Sequence, residues 1–447
     1  MSNKDKYGEV LTPYWFIQNM IDDCKMLMGD NFFTRFKNIF EPGAGQGAFF
    51  DVLQNENEVF DNPTYHYSFN EINQEHYEKI CSVSENYKEN VSYLMTDFFK
   101  LDLKDHGNKY DLIIGNLPFN VFSKKFVPGL SKNNKDNKEV TQSKSQTLWT
   151  QITRYCFDYL LKEDGYYYCV IPCMWLKPDK AKIYDLFTKE YTICLLKTFN
   201  CKEANKIFNY QCQTPICYVL VQKKKQIKNE NNLSFKLFSK RQDKYIDYTL
   251  FDNLCIPTNN QGEVSKSINY IRETQSSNLF SICKKVSIIK KELEHNANKF
   301  YMKGLLEKHT QTVSNDDDTT SNEEYKIITG ALMTKEGVLS LNGFVTTQPS
   351  LYYGIPKLIL PHKRLARYFK DYDGEYSCYG RDMFVFLCEN KEQIDELYNF
   401  LSNPIMQEFV ENSFTVRMNF IEKYIFECIP NIFDENVNSS EYLKRLI

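Results

Sequence analysis

Ile39-Phe40-Glu41-Pro42-Gly43-Ala44-Gly45-Gln46-Gly47 is the stretch that decides the fold. A short strand over Asn38–Glu41 runs into a glycine-rich turn, and a helical pattern over Ala48–Gln54 follows at once. Glycines let the turn tighten and let backbone approach a ligand closely, while the start of a helix offers N–H groups to a polar one. Such a turn also arises for steric reasons alone, so its surroundings must carry the argument further.

Outward from the turn, strand-like and helix-like patterns alternate, the signature of a parallel α/β sheet. Strands are expected at Asn38–Glu41, Tyr65–Glu71, Val91–Thr96, Tyr110–Gly115, Tyr166–Pro172, Thr192–Phe199 and Ile216–Gln222, with helices such as Trp15–Met28 and Leu148–Leu161 between them. Segments such as YYYCVIP and ICYVLVQ are apolar on both faces, as helices on both sides of a sheet require. Two polar runs interrupt the chain, Lys223–Asn232 and the acidic Gln311–Glu324. The first separates a domain at residues 1–225 from one at 226–447. In the second, strand-like Lys326–Ile328 and Lys357–Leu360 mix with a helical pattern at Lys391–Leu401, which predicts a smaller α+β domain.

The chain has 447 residues, 42% of them hydrophobic, enough for two or three domains with a large core. A formal net charge of −3 excludes a protein that binds polyanions through bulk charge, so a nucleic-acid partner must be met by local basic stretches. The 14 cysteines include no CxxC pair, which argues against zinc and for reduced core thiols. No metal site is expected. The amino terminus lacks a signal-peptide pattern, and no apolar run approaches membrane-spanning length, so a soluble, intracellular (cytoplasmic) protein is expected.

Two acids close the next strands. Glu71 is placed to accept from both hydroxyls of a ribose, and Asp97 to accept from an adenine amino group. A lone strand-end acid is usually just solvated. Two at consecutive strand ends, behind a glycine turn, point to an adenosine-type cofactor. Tyr110-Asp111-Leu112-Ile113-Ile114-Gly115-Asn116-Leu117-Pro118-Phe119 then delivers Asn-Leu-Pro-Phe to the carboxyl end of the sheet, where open α/β folds hold their sites. An adenine amino group is a poor nucleophile because its lone pair is delocalised into the ring. Two acceptors aimed at its hydrogens, the Asn116 side-chain oxygen and the Leu117 carbonyl, favour the tetrahedral nitrogen that attacks a methyl group. Pro118 stiffens the turn, and Phe119 offers a flat face to an extruded base.

With these motifs the chain resembles the N6-adenine DNA methyltransferases of restriction-modification systems, in the γ-class order with the cofactor half first and target recognition last. Lys6-Tyr7-Gly8-Glu9-Val10-Leu11-Thr12-Pro13 is similar to their opening motif, which implies cofactor contacts by Tyr7, Thr12 and Pro13. Glu41, Pro42, Gly43 and Gly45 resemble the glycine motif, Glu71 with Ile72 the ribose-binding end, and Asp97 with Phe98 the adenine-binding end. Asn116–Phe119 resembles the catalytic tetrapeptide (N/D)PP(Y/F), with Asn116 also reaching the cofactor. Ser145–Trp149, Gly165–Pro172 and Trp175 are similar to the segments that follow it. Phe208, in Ala204-Asn205-Lys206-Ile207-Phe208-Asn209, resembles an aromatic that meets the flipped base edge-on.

The resemblance implies a Rossmann-like methyltransferase sheet with helices on both faces, followed by a smaller α+β target-recognition domain. It implies S-adenosylmethionine as cofactor, double-stranded DNA as partner and a cognate restriction endonuclease as a second one. Two departures from the pattern stand out: Leu117 stands where the family has its first proline, and the opening motif has Glu9 and Leu11 where related sequences often have Phe or Val at the second position. Asn-Leu-Pro-aromatic is also the pattern of rRNA adenine dimethyltransferases, which keeps an RNA substrate as an alternative. A catalytically inactive nucleic-acid-binding relative is the third reading. With an opening motif within the first ten residues, a fused amino-terminal nuclease is not expected.

On the substrate side, Ser123–Ser145 holds Lys124, Lys125, Lys132, Lys135, Lys138 and Lys144 against only Asp136 and Glu139, well placed to meet phosphates. Pro361–Lys370 is basic with interleaved aromatics, and Arg381 and Arg417 are further candidates for base or phosphate contact.

Overall fold

The computed structural model describes residues 10–57, 65–119, 147–225, 232–251, 254–285, 298–305, 325–333, 338–346, 352–361, 368–378, 383–415 and 421–447. It divides into two compact units, Met1–Ile256 with Val416–Met418, and Pro257–Thr415 with Asn419–Ile447.

The first unit contains β1 (Asn38–Glu41), β2 (His66–Asn70), β3 (Val91–Leu94), β4 (Tyr110–Asn116), β5 (Leu161–Pro172), β6 (Thr192–Phe199), β7 (Ile216–Gln222), β8 (Asn232–Ser239) and β9 (Lys244–Phe251). They form one sheet in the order β3-β2-β1-β4-β5-β7-β6-β8-β9. From β3 through β5 every pairing is parallel, whereas β7 inserts antiparallel between β5 and β6. The main helices are α1 (Tyr14–Met28), α2 (Ala48–Asn57), α3 (Gln74–Val83), α4 (Leu148–Tyr155) and α5 (Cys201–Ile207).

Side chains alternate across the sheet as the strand period demands. On β4, Ile113 joins one buried cluster with Tyr167, Cys169 and Val219. Leu112 and Ile114 face the other way into a cluster with Tyr168, Val170 and Tyr218. Both faces are therefore covered, the arrangement that lets such strands be apolar throughout. The cysteines are free thiols and most are buried.

One boundary differs from expectation. The division falls after Ile256 rather than after residue 225, because the β8–β9 hairpin continues the first sheet. β8 completes the open edge of β6 in parallel, Leu195 opposite Lys236 and Leu196 opposite Leu237. Phe235, Leu237, Tyr248 and Leu250 thereby join the first buried cluster. The polar run at Lys223–Asn232 precedes further strands of the same sheet instead of ending the domain.

The second unit is α+β. It has α6 (Gln261–Thr274), β10 (Cys283–Lys285), β11 (Asn298–Leu305), β12 (Tyr325–Met333), β13 (Val338–Thr346), β14 (Lys357–Pro361), β15 (Phe369–Asp371), β16 (Tyr376–Cys378), β17 (Met383–Leu387), α7 (Lys391–Leu401), α8 (Pro404–Asn412) and α9 (Ser439–Leu446). The strands make two four-stranded sheets, β10-β17-β14-β15 and β11-β13-β12-β16. At the β14–β15 pairing a fully buried ion pair joins Lys357 to Asp371 at 2.6 Å, and Asp371 also accepts the N–H groups of Glu375 and Tyr376.

Candidate active site

At the middle of the first sheet the strand order reverses between β1 and β4. The carboxyl ends of these strands open into a cavity of about 300 Å³. This is where an open α/β sheet offers a crevice for ligands. Of the residues expected from sequence, Thr12, Glu41, Pro42, Gly43, Gly45, Glu71, Ile72, Asp97, Phe98, Asn116, Leu117, Pro118, Phe119 and Phe208 all line it. Pro13 does not. It caps α1, and its carbonyl accepts the N–H groups of Phe16 and Ile17 at 3.0 and 3.2 Å. Tyr7, the lysine-rich loop, Arg381, Arg417 and most of the Pro361–Lys370 stretch lie outside the described residues.

The glycine turn follows β1 and is tied to the end of β2. Gly45 and Gly47 have φ of 54° and 85°, which side-chain-bearing residues adopt only at a cost. The Gly45 N–H donates to Glu71 Oε2 at 2.8 Å, and the Asn73 N–H donates to Glu71 Oε1 at 2.8 Å. Glu71 thus holds the turn in shape. Burial pushes its carboxyl up, and these two donated hydrogen bonds oppose that. Beneath the turn, Glu41 is buried and accepts from the Tyr67 hydroxyl at 2.7 Å. Burial holds its carboxyl well above the usual carboxylate range, and the Tyr67 hydroxyl opposes this.

Asp97 follows β3 and caps a short helical turn, with Oδ1 accepting the Phe99 N–H at 3.1 Å. Its Oδ2 is buried and has no hydrogen-bond partner among the described residues. Burial raises the Asp97 carboxyl, opposed by the Phe99 N–H and by Lys100. An unpaired buried acceptor is costly, and here it lies in the wall of a cavity.

Asn116 ends β4. Its Nδ2 donates to the Val10 carbonyl at 3.2 Å and to Thr12 Oγ1 at 3.0 Å. A carbonyl can only accept, so the amide orientation is fixed by chemistry: the NH₂ end faces the opening segment. Asn116 Oδ1 is consequently turned the other way, buried and without a hydrogen-bond partner among the described residues. Leu117 is 2% exposed and packs into the first buried cluster. Phe119 is half-buried and touches both clusters. Phe208 is 2% exposed and locked edge-on against Phe16, ring centroids 5.9 Å apart, so it presents only part of its ring to the cavity.

Sequence reasoning missed two useful residues. Asn70, at the end of β2, donates to the carbonyls of Leu94 and Thr96 at 3.0 and 2.9 Å, fixing the strand end that leads to Asp97. A polar amide closing an apolar strand was its only signal. Lys79 on α3 is the one cation among the described residues of the wall, its Nζ donating to Gln46 Oε1 at 2.6 Å. Nothing in a helical sequence marks it. Among the described residues, no group of three or more His, Cys, Asp or Glu side chains could hold a metal ion. Among the described residues, no helix is long and apolar enough to cross a membrane.

No protein-family model and no curated protein sequence matches the chain. Among solved structures it is similar to a Listeria monocytogenes protein assigned as a class I S-adenosylmethionine-dependent methyltransferase, at 15% identity, covering 52% of this chain and 67% of that one, TM-score 0.38. The type I restriction-modification methyltransferase subunit of Streptococcus thermophilus aligns at 17% identity over 54% of this chain and 51% of that one, TM-score 0.39. A 23S rRNA methyltransferase aligns at 9% identity over 48% and 69%, TM-score 0.31. The chain itself has a mixed α/β fold, a large central sheet flanked by helices. The chain spans about half the length of the type I subunit.

Proposed function

We propose that this chain is an S-adenosylmethionine-dependent DNA methyltransferase acting on the exocyclic amino group of an extruded adenine. The observation that carries the reading is Asn116: its donors are spent on the opening segment, and its buried oxygen is left bare in the wall of the cavity that the glycine turn and Asp97 also line. Such an acceptor suits an amino group that must become tetrahedral. Asp97 Oδ2 is a second bare acceptor in the wall, suited to the cofactor's adenine amino group, with Ile72 and Phe98 as apolar lining beside it. The Glu71 carboxylate keeps acceptor capacity beyond its backbone bonds and can take a ribose hydroxyl.

When bound, S-adenosylmethionine supplies an electrophilic methyl group. The protein's own contribution is orientation. Asn116 Oδ1 and the Leu117 carbonyl accept the two amino hydrogens, and Phe119 stacks on the base. The Leu117 side chain is a core residue, so its difference from proline is a matter of packing and favours no particular substrate. The second unit is proposed as the target-recognition domain, and a cognate restriction endonuclease as a further partner. Incubating genomic DNA with the protein and S-adenosylmethionine, then sequencing it with single-molecule detection of N6-methyladenine, tests the reading. A structured RNA methylated in place of the DNA favours the RNA alternative.

Asp97→Ala is expected to weaken S-adenosylmethionine binding about tenfold or more, since the ligand's donors lose a charged acceptor. Calorimetry checks this. In the wild type, affinity should fall on acidification from above the ordinary aspartate range, because burial raises this carboxyl and only its ionised form accepts fully. Unchanged affinity in the mutant contradicts the assignment.

Phe119→Ala should cut turnover by the worth of one base–aromatic stack, roughly 1–3 kcal/mol, while Phe119→Tyr retains most of it. 2-Aminopurine at the target position should brighten when the protein binds, because the base leaves the stack. An active enzyme that binds this DNA without brightening contradicts extrusion.

A further inference from the structure

We propose that Tyr210 enters the stack of duplex DNA beside the extruded adenine, with Lys202 and Lys206 holding adjoining phosphates. The inference rests on the base-modifying reading above. It begins with a turn. After α5, the Gln211 N–H donates to the Phe208 carbonyl at 2.9 Å and the Tyr210 N–H donates to the Asn205 carbonyl at 2.6 Å. The two residues between Phe208 and Gln211 are both left-handed, Asn209 with φ 48° and Tyr210 with φ 63°.

Turns with two left-handed central residues take asparagine readily at the first and strongly favour glycine at the second. A tyrosine there carries strain that glycine would not. Packing does not explain it, because Tyr210 is 78% exposed, the most exposed large hydrophobic residue among those described. The turn holds a flat apolar ring out in solvent at an energetic cost.

Its position gives the ring a use. Phe208 lines the cavity, and Tyr210 follows it two residues later within one four-residue turn whose ends lie within about 7 Å of each other. On the preceding helix, Lys202 and Lys206 lie one turn apart and are both exposed. Neither enters an ion pair among the described residues, whereas Glu203 between them is engaged by Lys240 at 2.5 Å and by the Asn200 N–H at 2.6 Å. Two available cations and an exposed aromatic on the helix and turn that carry the cavity-lining Phe208 match a phosphate backbone and a base stack. Extrusion leaves a gap in the duplex, and inserted apolar side chains are one way proteins fill or wedge such gaps.

The test uses the full chain and a duplex carrying the word that sequencing of methylated genomic DNA identifies. One duplex has the target adenine paired. A second has it opposite an abasic site, so that no stacked pair must be replaced. Tyr210→Ala should lower kcat/KM about tenfold on the paired duplex and less than about twofold on the abasic one, with Tyr210→Phe close to wild type. Tyr210→Gly should lose paired-duplex activity in the same way yet raise the thermal midpoint, because glycine relieves the turn. Equal loss on both duplexes, or no loss on either, overturns the proposal. So does a lowered midpoint in Tyr210→Gly, which would make the ring a structural element or the seat of a protein partner. A wild type that binds S-adenosylmethionine but leaves no N6-methyladenine in DNA overturns the base-modifying reading itself, and this inference with it.

Discussion

Asn116→Ala should abolish nearly all methyl transfer while the protein stays folded and binds S-adenosylmethionine within a few-fold of wild type. Losing one preorganised acceptor at the reacting atom typically costs ~3–4 kcal/mol of barrier, roughly a hundred- to thousandfold in rate. The few-fold change in cofactor affinity has a separate cause: alanine also drops the hydrogen bonds to the Val10 carbonyl and Thr12 Oγ1 that anchor the opening segment. Single-turnover kinetics with labelled cofactor measure the first effect and calorimetry the second. A mutant as active as wild type would remove Asn116 from the chemistry. A mutant that loses cofactor binding outright would make it an anchor of the opening segment only.

Lys357→Ala is expected to destabilise the second unit by ~3–5 kcal/mol, because it strands a buried carboxylate. Lys357 and Asp371 are 0% and 2% exposed and 2.6 Å apart, so neither water nor a second cation can replace the lysine without opening the sheet. Burial already raises the Asp371 carboxyl, and Lys357 is the first influence that opposes this. In the variant the carboxyl is raised further. An acid whose folded pKa exceeds its unfolded one favours the fold while protonated and loses that advantage as pH rises through the folded pKa. The deficit against wild type should therefore be largest at neutral pH and shrink on acidification. Denaturant titrations at several pH values check both size and direction. Lys357→Met with Asp371→Leu, which removes both charges, should recover most of the loss. A single variant as stable as wild type, or a deficit that grows in acid, would contradict this account.

Much of the first unit was legible in the sequence for a local reason. β1, β6 and β7 have the expected bounds because each is a short apolar run between turn residues. The glycine turn, the two strand-end acids and the Asn-Leu-Pro-Phe segment announce themselves by residue type at fixed offsets from those strands. Their meeting in one cavity follows from a parallel sheet, which gathers strand ends at one edge. The helix at Leu148 was read through to Leu161 and instead ends at Tyr155 in a wider turn over Cys156–Leu160. Apolar periodicity does not distinguish an α-turn from a slightly wider one.

By itself the sequence determined the alternation of elements, the covered sheet and the types of residue at its rim, because these depend on neighbours a few positions apart. Only the tertiary structure decided which way the Asn116 amide points, since that is set by a carbonyl at Val10, far away in the chain. It alone showed that Glu71 clasps the glycine turn, that Pro13 caps a helix outside the cavity, and that the β8–β9 hairpin belongs to the first sheet. It alone paired Lys357 with Asp371 and showed Tyr210 exposed on a left-handed turn after Phe208. Each of these depends on a partner brought close by folding, and hydrogen bonds and ion pairs between such partners leave no period or spacing in the chain to read.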